Sequence, residues 1–267
     1  MKLLWNNYLE DSTVTASNQD ENYPVSNLTH KFLEKKFQSL GSQSKITITM
    51  PETRIVSMIA YGFNNVITSE SILAVTKNAS KIYAVTKSAT TILSVTLESK
   101  YVLKNTLGSI VGTGTLETGG DINVNYFSPT ECKTIEITFI SPVSEPVYVG
   151  GLSIGDPLEI EYVRNNPELS HAIRGTANKT EAGQLLSKKV RTLRIWDFSV
   201  PLVTNSKRAE ITEMIDEIGN FKPIFADLYE DTDIEPEMYC NIIGGGRFPR
   251  INHKNEFSTS MVLEECR

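Results

Sequence analysis

Cysteine and histidine are scarce in this chain, with three of each among 267 residues. Cys132, Cys240 and Cys266 lie far apart, make no CxxC and leave one thiol over under any single disulfide, which is the usage expected of a reducing compartment at synthesis. They read as ordinary small side chains. His30, His171 and His253 fall in no H-x-x-x-H, H-E-x-x-H or cysteine-paired arrangement, so no zinc site is expected. A Gly-x-Ser-x-Gly elbow is absent, and 32 carboxylates scattered along the chain offer no means of choosing a glycosidase pair. No catalytic residue, cofactor site or metal site is assigned, and the chain is not expected to be an enzyme.

Long apolar runs are missing too. No window approaches the ~18 unbroken apolar residues that span a bilayer, so membrane insertion is not expected. The start, Met1-Lys-Leu-Leu-Trp-Asn6, is too short in apolar residues for a signal-peptide core, and synthesis in the cytoplasm without export is expected. The Asn-x-Ser/Thr matches at Asn27, Asn78 and Asn178 then read as polar loop sequence rather than glycan acceptors. Basic charge is also short, with 26 Lys+Arg against 32 Asp+Glu, which removes any global attraction for phosphate backbones; sequence-specific nucleic-acid binding is not expected. With 16 Gly and 11 Pro the chain is neither collagen-like nor Pro/Gly-dominated, and 40% hydrophobic residues exclude a disordered chain. What remains is a soluble globular protein, long enough for two domains.

What is present is β patterning. Ile46, Ile48 and Met50 alternate with polar residues, as do Ile135, Ile137 and Phe139, and Arg54–Tyr61 is apolar on both faces, the mark of a covered central strand. A decad repeats at Ile72–Thr76, Ile82–Thr86 and Ile92–Thr96, a spacing that suits a meander of short strands. Phe257, Thr259, Met261 and Leu263 form a closing strand. One helix stands out at about 205–218: Thr204-Asn-Ser206 supplies N-cap oxygens, Ile211, Met214, Ile215 and Ile218 follow helical spacing, and Gly219 marks a left-handed C-cap. Just before it the apolar positions change phase between Ile195 and Trp196, which predicts a β-bulge there. A boundary near Ile154-Gly-Asp-Pro157 divides the chain into 1–157 and 158–267, each slightly acidic, and the polar stretch 164–189 reads as an extended arm with short pairing segments.

Chemistry-bearing motifs fail on their grammar. Asp231, Asp233 and Glu235 in the acidic run 227–237 alternate like the first ligands of a calcium loop, but Pro236 stands where glycine is required and Ile242 where the bidentate glutamate belongs. The run reads as a solvated hairpin tip. Gly112–Gly120 and Gly244–Arg247 lack the lysine and the βαβ context of phosphate loops and read as turns. Trp5, Tyr23, Tyr61 and Tyr126 are the candidates for a sugar-stacking platform, with core packing as the competing and favoured reading.

Five segments carry a resemblance: Asn22-Tyr-Pro-Val-Ser-Asn-Leu28, Phe37-Gln-Ser39, Ile46-Thr-Ile-Thr49, Ile59-Ala-Tyr-Gly-Phe-Asn-Asn65 and Val147-Tyr-Val-Gly-Gly-Leu-Ser-Ile-Gly155. In this order they resemble the discoidin-like, galactose-binding-like jelly rolls of tailed-phage structural proteins over roughly residues 1–157. The second half, with Arg194-Ile-Trp-Asp-Phe-Ser-Val200, the helix, Lys222–Asp227 and Phe257–Glu265, resembles the β-sandwich-plus-helix domain of phage distal-tail and tail-tube proteins. The fold class implied is mainly β, a jelly roll followed by a β-sandwich or barrel domain with one flanking helix. The function implied is that of a structural component of a phage tail tip or baseplate. Such a component forms a hexameric or similar ring around the DNA channel, with the arm reaching a neighbouring copy. The jelly roll docks receptor-binding proteins, and tail-tube and tail-hub proteins are the other partners. The place implied is the virion, and an acidic balance suits a lumen that must not adhere to DNA. The alternative is a carbohydrate-binding adhesion module that recognises host-surface glycans.

Overall fold

The computed structural model describes all residues except 30–34, 73–84, 89–90, 94, 119–120, 143–144, 161–167, 180–184, 220–221, 229–236, 252–255 and 267. In chain order its strands are β1 (Lys2–Leu4), β2 (Thr13–Ala16), β3 (Phe37–Gln38), β4 (Gln43–Asn64), β5 (Ser69–Ile72), β6 (Val85–Ser88), β7 (Thr91–Leu93), β8 (Val95–Glu98) and β9 (Lys100–Lys104). They continue as β10 (Ile110–Thr115), β11 (Ile122–Ile140), β12 (Tyr148–Gly155), β13 (Leu158–Glu159), β14 (Glu168–Lys179), β15 (Leu185–Val203), β16 (Ile224–Asp227), β17 (Glu237–Gly244) and β18 (Phe257–Glu265). Helix α1 (Asn205–Ile218) lies between β15 and β16, and single 3-10 turns cover Tyr8–Asp11 and Val25–Thr29. The chain is mainly β with one flanking α-helix, in the class the sequence implies. It separates into two compact units, Asn7–Asp156 and Met1–Asn6 with Pro157–Arg267.

The unit Asn7–Asp156 is organised by two long antiparallel strands. β4 and β11 pair along Ile46↔Ile137 in one half and Ala60↔Val124 in the other, with register shifts between Tyr126 and Thr130 and between Cys132 and Thr134. One half is flanked by β2 on β4 and by β9 and β10 beyond β11, and the other by β12 and β3. Ile46, Ile48, Ile135 and Ile137 from one half share a core with Ile59, Tyr61 and Leu152 from the other. Every residue from Val56 to Gly62 is buried, as the two-faced apolar pattern predicts. Within the decad β6 pairs with β7 and β5 with β8, so the first strand meets the last rather than its successor; residues 73–84, 89–90 and 94 lie outside the described residues.

The other unit is a seven-stranded antiparallel sheet in the order β13-β1-β16-β17-β18-β15-β14. Its first strand is β1, although the sequence reading put residues 1–6 with the jelly roll. Three residues carry no readable period, but Leu3 and Leu4 are buried, β1 pairs with both β13 and β16, and the Met1 ammonium donates to the Ile160 carbonyl at 3.2 Å. Helix α1 has the predicted bounds, with the Thr204 hydroxyl accepting from the Lys207 N–H and Gly219 at φ 53°. Ile211, Met214 and Ile218 pack on Trp196, Phe198, Met261 and Leu263. β18 alternates as predicted, with Phe257, Thr259, Met261, Leu263 and Glu265 buried.

Two local expectations fail. The register through Ile195 and Trp196 has no bulge; the irregularities of β15 lie at its pairings near Arg174/Gly175 and Val200/Val203. Leu193 and Trp196 lie on opposite faces of β15 and both are buried, because the second face is covered at this end of the strand while Asp197 and Ser199 further along it are exposed; a regular strand satisfies both. Gly112 and Gly114 are strand residues of β10 and not a turn: a Cβ on Gly114 would sit 2.5 Å from the Tyr101 Oη, so the ring crossing the strand requires glycine beneath it. Gly244 closes β17, and Gly245 and Gly246, at φ 140° and 83°, lie in the irregular segment that follows it. The arm pairs more fully than expected, Glu168–Lys179 lying against Leu185–Asp197 in one antiparallel ribbon, while 164–167 and 180–184 lie outside the described residues. β14 is an edge strand, so its pairing requires no apolar face, and a polar sequence hides it.

Candidate functional site

β12 runs from Tyr148 to Gly155, and the residues that precede it meet the ends of two other segments. The turn at Asp20 is fixed by its own side chain, whose Oδ1 accepts the Asn22 N–H at 2.8 Å. It is joined to β3 by bonds from the Asp20 N–H to the Gln38 carbonyl at 2.9 Å and from the Gln38 N–H to the Tyr23 carbonyl at 3.0 Å. Past β3, the Ser39 N–H donates to the Val147 carbonyl at 2.9 Å, and the Ser39 hydroxyl accepts the Val147 N–H at 2.8 Å. The Ser141 hydroxyl donates to the Glu145 carbonyl at 2.6 Å, and the Ser141 N–H to the Ser42 carbonyl at 2.9 Å. These bonds hold three chain segments around a cleft of about 330 Å³ lined by Asp20, Gln38, Leu40, Ser42, Glu145 and Pro146. That volume is at the small end of the ~300–1,000 Å³ usual for ligand pockets. Leu40 is 73% exposed at its lip.

Beside the cleft stands an aromatic pair with a cation between its members. The Lys36 Nζ lies 5.6 Å from the Tyr23 ring centroid and 4.7 Å from that of Tyr148. Asn65 fixes the second ring, its Oδ1 accepting the Tyr148 N–H at 2.9 Å while its Nδ2 donates to the Pro146 carbonyl at 2.9 Å. Asn27 fixes the lysine, its Nδ2 donating to the Lys36 carbonyl at 3.0 Å. The cleft therefore offers two carboxylates, an amide and a hydroxyl, with two tyrosine rings and an ammonium alongside. This is a set of hydrogen-bonding groups and flat apolar faces, without an arranged nucleophile and base. It opens where β12 begins, about 23 Å at 3.3 Å per residue from Gly155 at the other end of that strand.

The expected aromatic platform is not assembled. Tyr61 is fully buried, its hydroxyl donates to the Glu117 carbonyl at 2.5 Å, and its ring meets Phe139 edge-on at 5.2 Å. Burial holds its ionisation well above the ordinary tyrosine range. Trp5 packs on the core of the other unit. Tyr23 and Tyr126 are partly exposed, at 39% and 38%, and of the four only Tyr23 stands beside the cleft. Among the described residues no group of three or more His, Cys, Asp or Glu gathers to hold a metal ion. The acidic run is bracketed by the Asp227↔Glu237 pair of β16 and β17, and Asp231, Asp233 and Glu235 lie outside the described residues, as do His30 and His253. His171 is exposed on β14.

Lys36, Gln38, Ser42, Asn65, Glu145 and Tyr148 went unassigned in sequence because 112 positions separate the first from the last. A signal was nevertheless there. Of the five segments that carry the resemblance, four deliver Tyr23 and Asn27, Gln38 and Ser39, Asn65, and Tyr148 to this one end.

Neither the family models nor the curated proteins contain a match to this chain. Among solved structures it is similar to a lectin-binding domain of lectinolysin complexed with Lewis b, with TM-score 0.40 and 8% identity over 56% of this chain and 94% of that one. It is similar to the family 32 CBM of C. perfringens NanJ in complex with galactose, with TM-score 0.39 and 15% identity over 57% and 97%. A Streptococcus pneumoniae fucose-binding module gives TM-score 0.38 and 8% identity over 57% and 95%.

Proposed function

We propose that residues 7–156 form a non-catalytic glycan-binding module and that the cleft between Asp20, Gln38, Ser42 and Glu145 is its site. The observation that carries this reading is the convergence itself: carboxylate, amide and hydroxyl groups, fixed by backbone hydrogen bonds, beside two positioned tyrosine rings. Polyhydroxylated rings are bound by such a combination, with polar groups orienting hydroxyls and an aromatic face covering the C–H face of the sugar. The test is a glycan array probed with the full chain and with Gln38→Ala and Tyr148→Ala. Binding to a defined set of glycans that both variants lose supports the reading. An array on which the full chain binds nothing, or on which neither variant changes the pattern, overturns it.

A second reading, favoured by the other unit, is a structural part of a phage tail tip that assembles into rings in the virion with tail-tube, tail-hub and receptor-binding proteins. In its favour, among the described residues Arg174–Lys179 and Leu185–Arg191 pair only with one another, past the part of β15 that β18 covers, and form a ribbon fit to reach a neighbouring copy. A repeated head-to-tail contact of that kind closes a ring when the rotation permits. Electron-microscopy class averages showing rings that vanish when residues 168–191 are deleted support this reading. Monomers under every condition, including with tail proteins present, sink it.

A further inference from the structure

Resting on the glycan reading, we infer that the site takes an acidic saccharide, one carrying a carboxylate or sulfate, and that Lys36 is the residue that selects it. Phe37 is fully buried, whereas Lys36, just before β3, and Gln38 are only partly buried, and Tyr148 is the register partner of Gln38. The lysine thus lies two residues from the amide that lines the cleft. Its ammonium lies over two tyrosine rings, which attract a cation without neutralising it. Among the described residues no carboxylate stands within ion-pairing distance of it, in contrast to Lys104, whose Nζ is 2.7 Å from Glu136. The positioning is built rather than incidental: Asn27 holds the Lys36 carbonyl and Asn65 holds Tyr148.

The charge pattern also fixes an orientation. Asp20 and Glu145 line the cleft and repel an anion, while as acceptors they suit sugar hydroxyls. An acidic sugar therefore lies with its anionic group on the Lys36 side, covered by the tyrosine rings, and its hydroxyls toward the two carboxylates. A neutral sugar satisfies only the second half of this arrangement.

The experiment is an array of matched saccharides in neutral, carboxylated and sulfated forms, followed by calorimetric titration of the full chain with the best matched pair. An acidic form is expected to bind about tenfold tighter than its neutral counterpart, the size of one charge-assisted hydrogen bond. Lys36→Met is expected to abolish that preference, so that the acidic and neutral forms bind alike, and Lys36→Arg to retain it. The carboxylated and sulfated arms show which anion is preferred. Equal binding of neutral and acidic forms, or a Lys36→Met variant that loses both alike with its circular dichroism unchanged, overturns the inference and leaves the glycan reading standing. Absence of all binding overturns the glycan reading itself.

Discussion

Arg194 and Glu265 form a buried ion pair across β15 and β18: the guanidinium Nη2 lies 2.9 Å from Oε1, and the Arg194 backbone N–H donates to Oε2 at 3.1 Å. The carboxylate side chain is only 2% exposed and the guanidinium 13%. A second bond from Nη2 to the Glu237 carbonyl, at 3.3 Å, extends the contact to β17. Such a pair holds register more than it adds stability, since desolvation offsets most of the attraction.

Removing one partner should therefore cost far more than removing both. Glu265→Ala leaves a buried cation and is expected to destabilise its unit by about 3–5 kcal/mol, while Arg194→Met with Glu265→Leu is expected to stay near the parent. Both tryptophans of the chain, Trp5 and Trp196, belong to this unit, so urea unfolding followed by their fluorescence reads it selectively. Equal losses in the single and double variants would refute the argument.

The helix caps make a smaller prediction in the same unit. Thr204→Ala frees the Lys207 N–H, and Gly219→Ala places a Cβ at φ 53°; each is expected to lower the unfolding free energy by about 1 kcal/mol. The two sites flank α1 at opposite ends, so their effects should add. Tryptophan-detected unfolding of the three variants measures both the size and the additivity.

In the unit Asn7–Asp156 the corresponding test is Gly114. The Tyr101 ring lies over this glycine and stacks on Phe127 at 4.9 Å. Gly114→Val must push the ring aside and is expected to cost about 1–3 kcal/mol. Gly112→Ala meets only the Leu103 Cδ1 at 3.1 Å, the movable end of a side chain, and should cost less. Urea unfolding followed by circular dichroism ranks the two, and the reverse order would show that the ring does not require the glycine.

These elements differ in how far the sequence disclosed them, and the difference has a physical origin. Helix α1 and strands β4 and β18 are specified within a few residues of themselves, by caps and by side-chain period, and their bounds or faces were readable. Leu193 and Trp196 misled because both faces of β15 are covered at that one end, which suspends there the rule that one face must be polar, and a regular strand then looks like a bulged one. Gly114 misled because its reason is Tyr101, thirteen positions earlier. β1 could not be read since its partners are β13 and β16, more than 150 residues away. The cleft belongs with these: Gln38 and Glu145 become neighbours only when β3 pairs with β12, and pairing between distant segments is what a single sequence states least directly.

The buried thiols give a prediction at alkaline pH. Cys132 lies in the core of the unit Asn7–Asp156, and burial pushes its thiol from 9.0 up to about 11. Cys240, in the core of the other unit, is raised well above the ordinary value, first by burial and then by the neighbouring Cys266. A raised folded value means that the unfolded chain releases its proton first. Below about pH 9 neither state has lost it and the thiol contributes nothing to the pH dependence. Between that pH and the folded value, stability falls by about 1.4 kcal/mol per pH unit for each thiol. Burial of Tyr61 acts in the same direction above 10. Urea midpoints at pH 8, 9.5 and 10.5 should decline accordingly, and Cys132→Ala should flatten the decline for the unit Asn7–Asp156 alone. The same burial should leave Cys266, the one partly exposed thiol, as the only cysteine that reacts with a disulfide reagent before unfolding, with all three reacting afterwards. A flat pH profile together with three fast-reacting thiols in the folded protein would show that Cys132 and Cys240 are not enclosed as described.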